Sequence, residues 1–197
     1  IEDERFYEHN GVDFLGIFRA IAVNIFSPNR EGASTLTQQL VRNTVLSNEM
    51  SVISIKRKIR EAYLATKIEE QYDKDKILLL YMNTVNYGSG AYGIETAAQR
   101  YFSKSAKDLN LIESATLAGI PQSPSDNNPF SNPENCLNRR NTVLMKMNQL
   151  GYITDEQFNQ AVEQALNLNP SVVVTNGGIF LYPYFTSYVR DQLVVQY

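Results

Sequence analysis

Apolar residues recur along this chain at three- and four-residue intervals, the spacing of helices with one inward face, while convincing strands are scarce. Phe14, Leu15, Phe18, Ile21, Ala22 and Ile25 make a wide apolar stripe, which Ser27-Pro28 ends because proline has no N–H to continue the helix. A second helix is predicted over Gly32–Asn43, with Thr35 and Gln38 spaced as a capping box. A third starts near Ser51 or Ser54 and runs to about Glu70, with Ile55, Ile59, Ala62, Tyr63 and Thr66 facing inward. A fourth starts at Asp73 and reaches about Asn83. The glycine-rich turn Asn86–Gly93, in which Tyr87, Gly88 and Gly93 read as turn and packing residues, leads into a helix through Phe102. Further helices are predicted at Leu109–Leu117, at Glu134–Leu150, and from a second capping box at Thr154 and Gln157 to about Leu166. Between them, Pro121–Pro133 is too long for a simple connector and reads as a functional loop. Beyond Pro170 the pattern weakens to a short strand at Val172–Val174 and a partial element over Tyr184–Val195. No internal repeat is visible, and the class is mostly α.

Composition narrows the picture without naming an activity. A chain of 197 residues supports one well-buried core, and 43% hydrophobic with 20% charged residues is ordinary for a globular protein. A net charge of -3 argues against a general nucleic-acid binder, which needs a broad basic surface. Cys136 and His9 are the only residues of their kinds, so an internal disulfide is excluded and a structural zinc site is disfavoured. No apolar run approaches the ~18–20 residues of a membrane span. The chain opens on charged residues with no initiating methionine and no signal peptide, and so reads as a piece of something longer.

Three segments carry candidate chemistry. In Gly32–Asn43, the capping box accounts for Thr35 and Gln38 but not for Gln39 and Arg42; a row of neutral donors ending in a guanidinium suits a polyhydroxyl ligand that also bears phosphate. At the start, Glu2 and Asp3 stand beside Phe6, Tyr7 and His9, a setting for a general base or simply a charged helix terminus paired to Arg5. A structural hydrogen bond suits His9 better than catalysis, since no nucleophile pattern accompanies it. In Lys56–Ala65, Arg57 and Glu61 lie one turn apart, with small Ala65 continuing their face; four cations in five residues suit a bound anion such as a diphosphate, or else a solvated helix face.

Together these segments resemble the peptidoglycan glycosyltransferase domain of class A penicillin-binding proteins, glycosyltransferase family 51. Glu2-Asp3 with Phe6, His9 and Gly11 looks like the family's first motif, and Gly32–Leu40 like its second. Arg57-Lys58 with Glu61-Ala62 looks like the third, Lys76-Ile77 through Tyr81–Asn83 the fourth, and Arg139-Arg140 with Val143, Leu144 and Met147 the fifth. Ala118–Pro124 matches a characteristic loop. The resemblance covers residues 1–168; residues 169–197 look like the start of a linker towards an absent transpeptidase domain, since no Ser-x-x-Lys or Lys-Thr-Gly pattern occurs.

The resemblance implies a lysozyme-like helical domain with a core lobe and a smaller membrane-facing lobe. It implies polymerisation of lipid II onto a nascent glycan strand, with inversion and loss of undecaprenyl diphosphate, at the extracytoplasmic face of the bacterial cytoplasmic membrane. Glu2 is then the general base on the attacking 4-hydroxyl, and Glu61 assists near the diphosphate. Arg42, Arg57 and Lys58 grip the leaving group, and Asp3, Phe6, His9, Ser34, Thr35, Gln38 and Gln39 complete the substrate-binding set. No cofactor is required, although a divalent cation (Mg or Mn) fits beside the diphosphate. Further partners implied are the membrane surface, a moenomycin-type inhibitor and cell-wall assembly proteins, and the apolar stripe from Phe14 to Ile25 should be partly exposed to lipid. Arg139 and Arg140 should brace the fold through buried ion pairs.

Three departures stand out. Ala33 replaces a usual glycine, Leu79 replaces a usual glutamate and so removes a carboxylate expected either to be buried or to support the site from behind, and the helix and transmembrane anchor expected before Glu2 are missing. A lysozyme-like glycan hydrolase and a catalytically silent lipid II or partner-binding module are the alternatives; the cations speak against the first and retention of both acids against the second. The decisive geometric expectation is that Glu2 and Glu61 face each other across one groove, with Arg42 and Arg57 beside it.

Overall fold

The computed structural model describes residues 1–26, 32–47 and 54–170. Eight helices run through them: α1 (Phe14–Phe26), α2 (Leu36–Asn43), α3 (Ile55–Glu69), α4 (Lys74–Thr84), α5 (Ile94–Phe102), α6 (Leu111–Gly119), α7 (Pro133–Gln149) and α8 (Asp155–Val162). Among the described residues there is no strand, only an isolated bridge between Asn86 and Tyr92. The fold is mostly α, as the periodicity implies. The elements expected at Val172–Val174 and Tyr184–Val195, the break at Ser27-Pro28, and the side chains of Ile21 and Ile25 lie outside the described residues.

Helix starts follow the capping chemistry. Thr35, Asn110 and Thr154 each accept from the backbone N–H three residues on, and the third residue's side chain returns to the cap N–H. Ser54 and Asp73 cap α3 and α4 in the simpler way. Asp13 does the same for α1, accepting from Gly16 N–H at 3.0 Å. The α8 helix stops at Val162, short of the predicted Leu166, because the Arg140 guanidinium takes over its last carbonyls. It donates to Gln164 O at 2.6 Å and more loosely to Val162 O and Ala165 O, both at 3.3 Å. Arg140 thus braces the fold through carbonyls, not through the ion pair expected of it.

The main core packs α2, α4, α5 and α6 around Leu36, Leu40, Ile77, Tyr81, Tyr87, Tyr101, Phe102, Leu117 and Ile120, with Phe6 inserted from the N-terminal segment. A second cluster joins α6, α7 and α8. The loop after α6 is folded onto the glycine turn: Asn127 donates to Gly119 O, and Asn128 donates to Ser89 Oγ at 2.9 Å. Gly88 permits this contact, since its φ is +77° and a Cβ there would lie 2.6 Å from Pro124 O. A cavity of about 280 Å³, lined among others by Asn86, Ser89, Tyr92, Ser125 and Asn128, lies between turn and loop.

Helix α3 overturns the predicted inward face. Ile55 is 81% exposed, Ile59 65% and Tyr63 60%, while the buried residues are Glu61 and Ala65. The period is right and the phase is reversed. The cause is close backbone approach: Gly11, at φ +85°, lies so near α3 that a Cβ would be 2.8 Å from the Ala65 carbonyl carbon. Only a small residue fits at that contact, so the bulky apolar stripe turns outward. Helix α1 also exposes Phe14, Leu15 and Phe18, as the resemblance implies. Leu79 is 47% exposed on α4, so its side chain replaces no buried carboxylate at this position.

Candidate active site

The first turn of α2 gathers the N-terminal segment. Its backbone N–H groups have no partners within the helix, and the electropositive helix end favours a carboxylate. Asp3 supplies one, accepting from Leu36 N–H at 2.9 Å, and the same carboxylate contacts His9 Nε2 at 3.0 Å. Thr35 Oγ1 adds a second tie by donating to Gly11 O at 2.7 Å. Phe6 is buried edge-on to Tyr7 and His9, with Lys74 Nζ 4.5 Å from its ring centre. Lys74 in turn pairs with Glu69 at 2.8 Å, and Glu69 accepts from Thr37 Oγ1 at 2.6 Å. This network fixes residues 3–11 against α2, α3 and α4.

Each predicted site residue can now be placed. The side chains of Asp3, Phe6, His9, Thr35 and Gln38 are closed into the protein; Asp3, Thr35 and Gln38 bond to the backbone around the start of α2, while His9 Nδ1 is buried without a hydrogen-bond partner among the described residues. Thr35 and Gln38 close the predicted capping box, and His9 contacts the Asp3 carboxylate. Gln39 is buried and accepts a long bond of 3.4 Å from the Tyr81 hydroxyl. Ser34 and Arg42 are only partly buried, and Arg42 makes no hydrogen bond or ion pair among the described residues.

Glu2 lies in extended chain before the first turn, and its Oε1 accepts from Arg139 Nη2 at 2.8 Å. The Tyr81 phenol lies within the field of this pair of motifs. Burial pushes its pKa well above the usual tyrosine range, the Glu2 charge pushes the same way, and Arg42 pulls back. Tyr81 is therefore a neutral donor at any physiological pH.

Glu61 is fully buried on α3. Lys58 Nζ donates to its Oε2 at 2.8 Å, and Arg57 Nε stands 3.0 Å from Oε1. The Arg57 contact is an ion pair without hydrogen-bond alignment, which leaves Oε1 able to accept from another group. Lys58 also donates to Ser34 Oγ at 2.6 Å, and this ties the Glu61 cluster to the residue just before the α2 cap. Asp3, next to Glu2, binds the first residue of the same helix. The two acids, far apart in sequence, are thus carried by segments anchored at one helix end, Ser34 on the Glu61 side and Leu36 on the Glu2 side.

Sequence reasoning missed the link between Glu2 and Arg139, which it treated as a bracing residue, and the Thr37–Glu69–Lys74 chain. The spacing of residues 137 positions apart carries no local signal for the first. For the second, a carboxylate at the end of α3 and a lysine at the start of α4 flank the four residues 70–73, a pattern that could have been read.

Comparison with known proteins shows which family the chain belongs to. The Transglycosylase family matches residues 1–148. Penicillin-binding protein 1A of Clostridium perfringens is 49% identical over 174 residues, 83% of this chain and 25% of that protein. Penicillin-binding protein 1A of Escherichia coli is 45% identical over 200 residues, covering 100% of this chain and 22% of the relative. The chain therefore spans about a quarter or less of the curated relatives it matches. The crystal structure of penicillin-binding protein 1A from Haemophilus influenzae aligns with a TM-score of 0.48 and 33% identity, covering 64% of this chain and 19% of that one. With the matched region taking in every motif from Glu2 to Met147, the chain belongs to the transglycosylase family.

Proposed function

We propose that this chain is a peptidoglycan glycosyltransferase that polymerises lipid II into glycan strands. The observation that carries the reading is the Glu61 cluster. One buried carboxylate is set against two cations, Arg57 and Lys58, beside a partly buried Ser34. A glycosidase needs a protonated carboxyl to expel a sugar oxygen, whereas a diphosphate leaves as an anion and needs cations instead. Arg42, without a partner among the described residues, adds a third positive group on the same helix that starts at Leu36.

In this reading Glu2 accepts the proton of the acceptor 4-hydroxyl as that oxygen attacks the anomeric carbon and the bond to diphosphate breaks. Arg57, Lys58 and Arg42 stabilise the departing undecaprenyl diphosphate. Lipid II and the nascent strand are the substrates, a moenomycin-type inhibitor competes for the same site, and cell-wall assembly proteins are partners. The reaction takes place at the extracytoplasmic face of the cytoplasmic membrane. Among the described residues no helix is long and apolar enough to cross a membrane. The exposed Phe14, Leu15 and Phe18 on α1 are an apolar face suited to contact with lipid.

A divalent cation at the diphosphate fits this chain poorly as a protein-held metal. Among the described residues no three His, Cys, Asp or Glu side chains converge, and Glu2, Asp3 and Glu61 each already face a donor or cation. Such an ion would ride on diphosphate oxygens, and no step depends on it. Labelled lipid II incubated with the protein should yield long strands that Glu2→Gln abolishes. Binding of lipid II without strands, unchanged by Glu2→Gln, would instead establish a silent binding module, and release of short glycans from preformed strands a hydrolase.

A further inference from the structure

We infer that Arg139 is a positioning residue for the Glu2 carboxylate, holding Oε1 so that Oε2 is the oxygen aimed at the acceptor hydroxyl. This rests on the reading of Glu2 as the general base. Glu2 sits in extended chain, with no helix of its own to orient it. Among the described residues its one hydrogen bond is the 2.8 Å contact from Arg139 Nη2, and both side chains are 16% exposed. That bond engages a single carboxylate oxygen. The other remains without a partner and close enough to solvent to meet a substrate.

Arg139 is itself held by shape. It projects from α7 across the end of α6, where a Cβ on Gly119 would lie 2.9 Å from Arg139 Cγ. Gly119 therefore leaves room for the arginine stem, and the order of support runs from Gly119 through Arg139 to Glu2. A base placed this way loses little freedom when substrate arrives, and displacement by about 1 Å costs roughly 10²-fold in rate. The proton step balances within this arrangement. Oε2 takes the hydroxyl proton as the new oxygen–carbon bond forms and the bond to diphosphate breaks, and the neutral carboxyl then returns the proton to water.

The test uses the protein expressed with its whole natural coding sequence, assayed by initial rates of lipid II polymerisation. Arg139→Gln should lower kcat by about 30- to 100-fold with KM changed by less than about twofold, because the substrate's own contacts stay in place. Arg139→Lys should recover part of that loss, since an ammonium reaches one oxygen as a point charge without the planar fork. Gly119→Ala keeps the charge but displaces the stem, and should lower kcat about tenfold, measured well below a melting transition that overpacking at this contact lowers by several degrees. Unchanged kcat in Arg139→Gln, or a loss confined to KM, overturns the proposal. If Arg139→Gln fails to fold, Gly119→Ala decides: full kcat in that variant refutes the positioning role. Absence of polymerisation by the unaltered protein would instead refute the function proposed above.

Discussion

Replacing Glu61 by glutamine separates what the buried ion cluster does for stability from what it does for the reaction. Glu61 is inaccessible to water, Arg57 is 11% exposed and Lys58 is 46% exposed at the side chain. Removing one partner of a buried pair costs about 3–5 kcal/mol, chiefly because the remaining charge is stranded away from water. Here Lys58 reaches solvent and Arg57 has an interaction besides Glu61, so the loss falls in the lower half of that range, about 3–4 kcal/mol. The glutamine carbonyl recovers roughly 1 kcal/mol through a remaining hydrogen bond. The net loss is then about 2–3 kcal/mol, which for a domain of this size lowers the melting temperature by roughly 4–12 °C. A thermal melt followed by circular dichroism reads this directly, and polymerisation measured well below both transitions should fall at least about 10²-fold. The companion variant is Arg57→Met with Glu61→Leu. Apolar replacement of a whole buried pair is commonly neutral or stabilising, so the melting temperature should return to the parent value or exceed it while polymerisation stays abolished. A Glu61→Gln melt within about 1 °C of the parent, or a double variant as unstable as the single one, would refute the claim that the buried Glu61 charge stabilises this cluster.

Two further outcomes follow from burial. Leu79→Glu should change stability by less than about 0.5 kcal/mol and leave polymerisation within about twofold, because the side chain is half exposed and meets no buried partner; a large gain in activity would show that a carboxylate there supports the site. Alkaline stability should fall as pH rises from about 9 towards 11. Burial pushes the Cys136 thiol up to about 11 and raises the Tyr81 and Tyr87 phenols well above their usual range. The unfolded chain then sheds protons that the folded chain keeps, so the unfolded state binds fewer and the stability slope with pH is negative. Melts at pH 8, 9, 10 and 11 check the sign, and a rise in melting temperature across that window would contradict it.

Much of the scaffold is legible in the sequence because capping is local. The Asp73 and Thr154–Gln157 signals each locate a helix start to the residue, the helix expected over Gly32–Asn43 begins at Leu36 behind its Thr35 cap, and the glycine turn comes out at its observed place. The site is legible to a lesser extent, and for a physical reason. Hydroxyls and amides at a helix start, such as Thr35 and Gln38, satisfy the same polar groups whether they serve the fold or a ligand, and only burial tells the two apart. Arg139 and Glu2 meet across nearly the full length of the domain, a contact that no periodicity encodes.

The reversed face of α3 shows why that limit falls where the chemistry is. Hydrophobic periodicity assumes that a helix buries its most apolar side, and Ile55, Ile59 and Tyr63 satisfy the pattern while pointing outward. What overrides it is the need to bring Gly11 against Ala65 and to hold Glu61 out of water between Arg57 and Lys58. Burying that carboxylate is stabilising only while its cations stay with it, so a stability-optimised helix would bury the isoleucines instead. A local rule broken at a cost, beside residues that carry charge into a ligand-facing region, is the pattern expected where selection acts on reaction chemistry rather than on the core. The same displacement turns the apolar stripe to the surface, so a single packing choice both builds the Glu61–Arg57–Lys58 cluster and leaves Ile55, Ile59 and Tyr63 exposed on the other side of the helix.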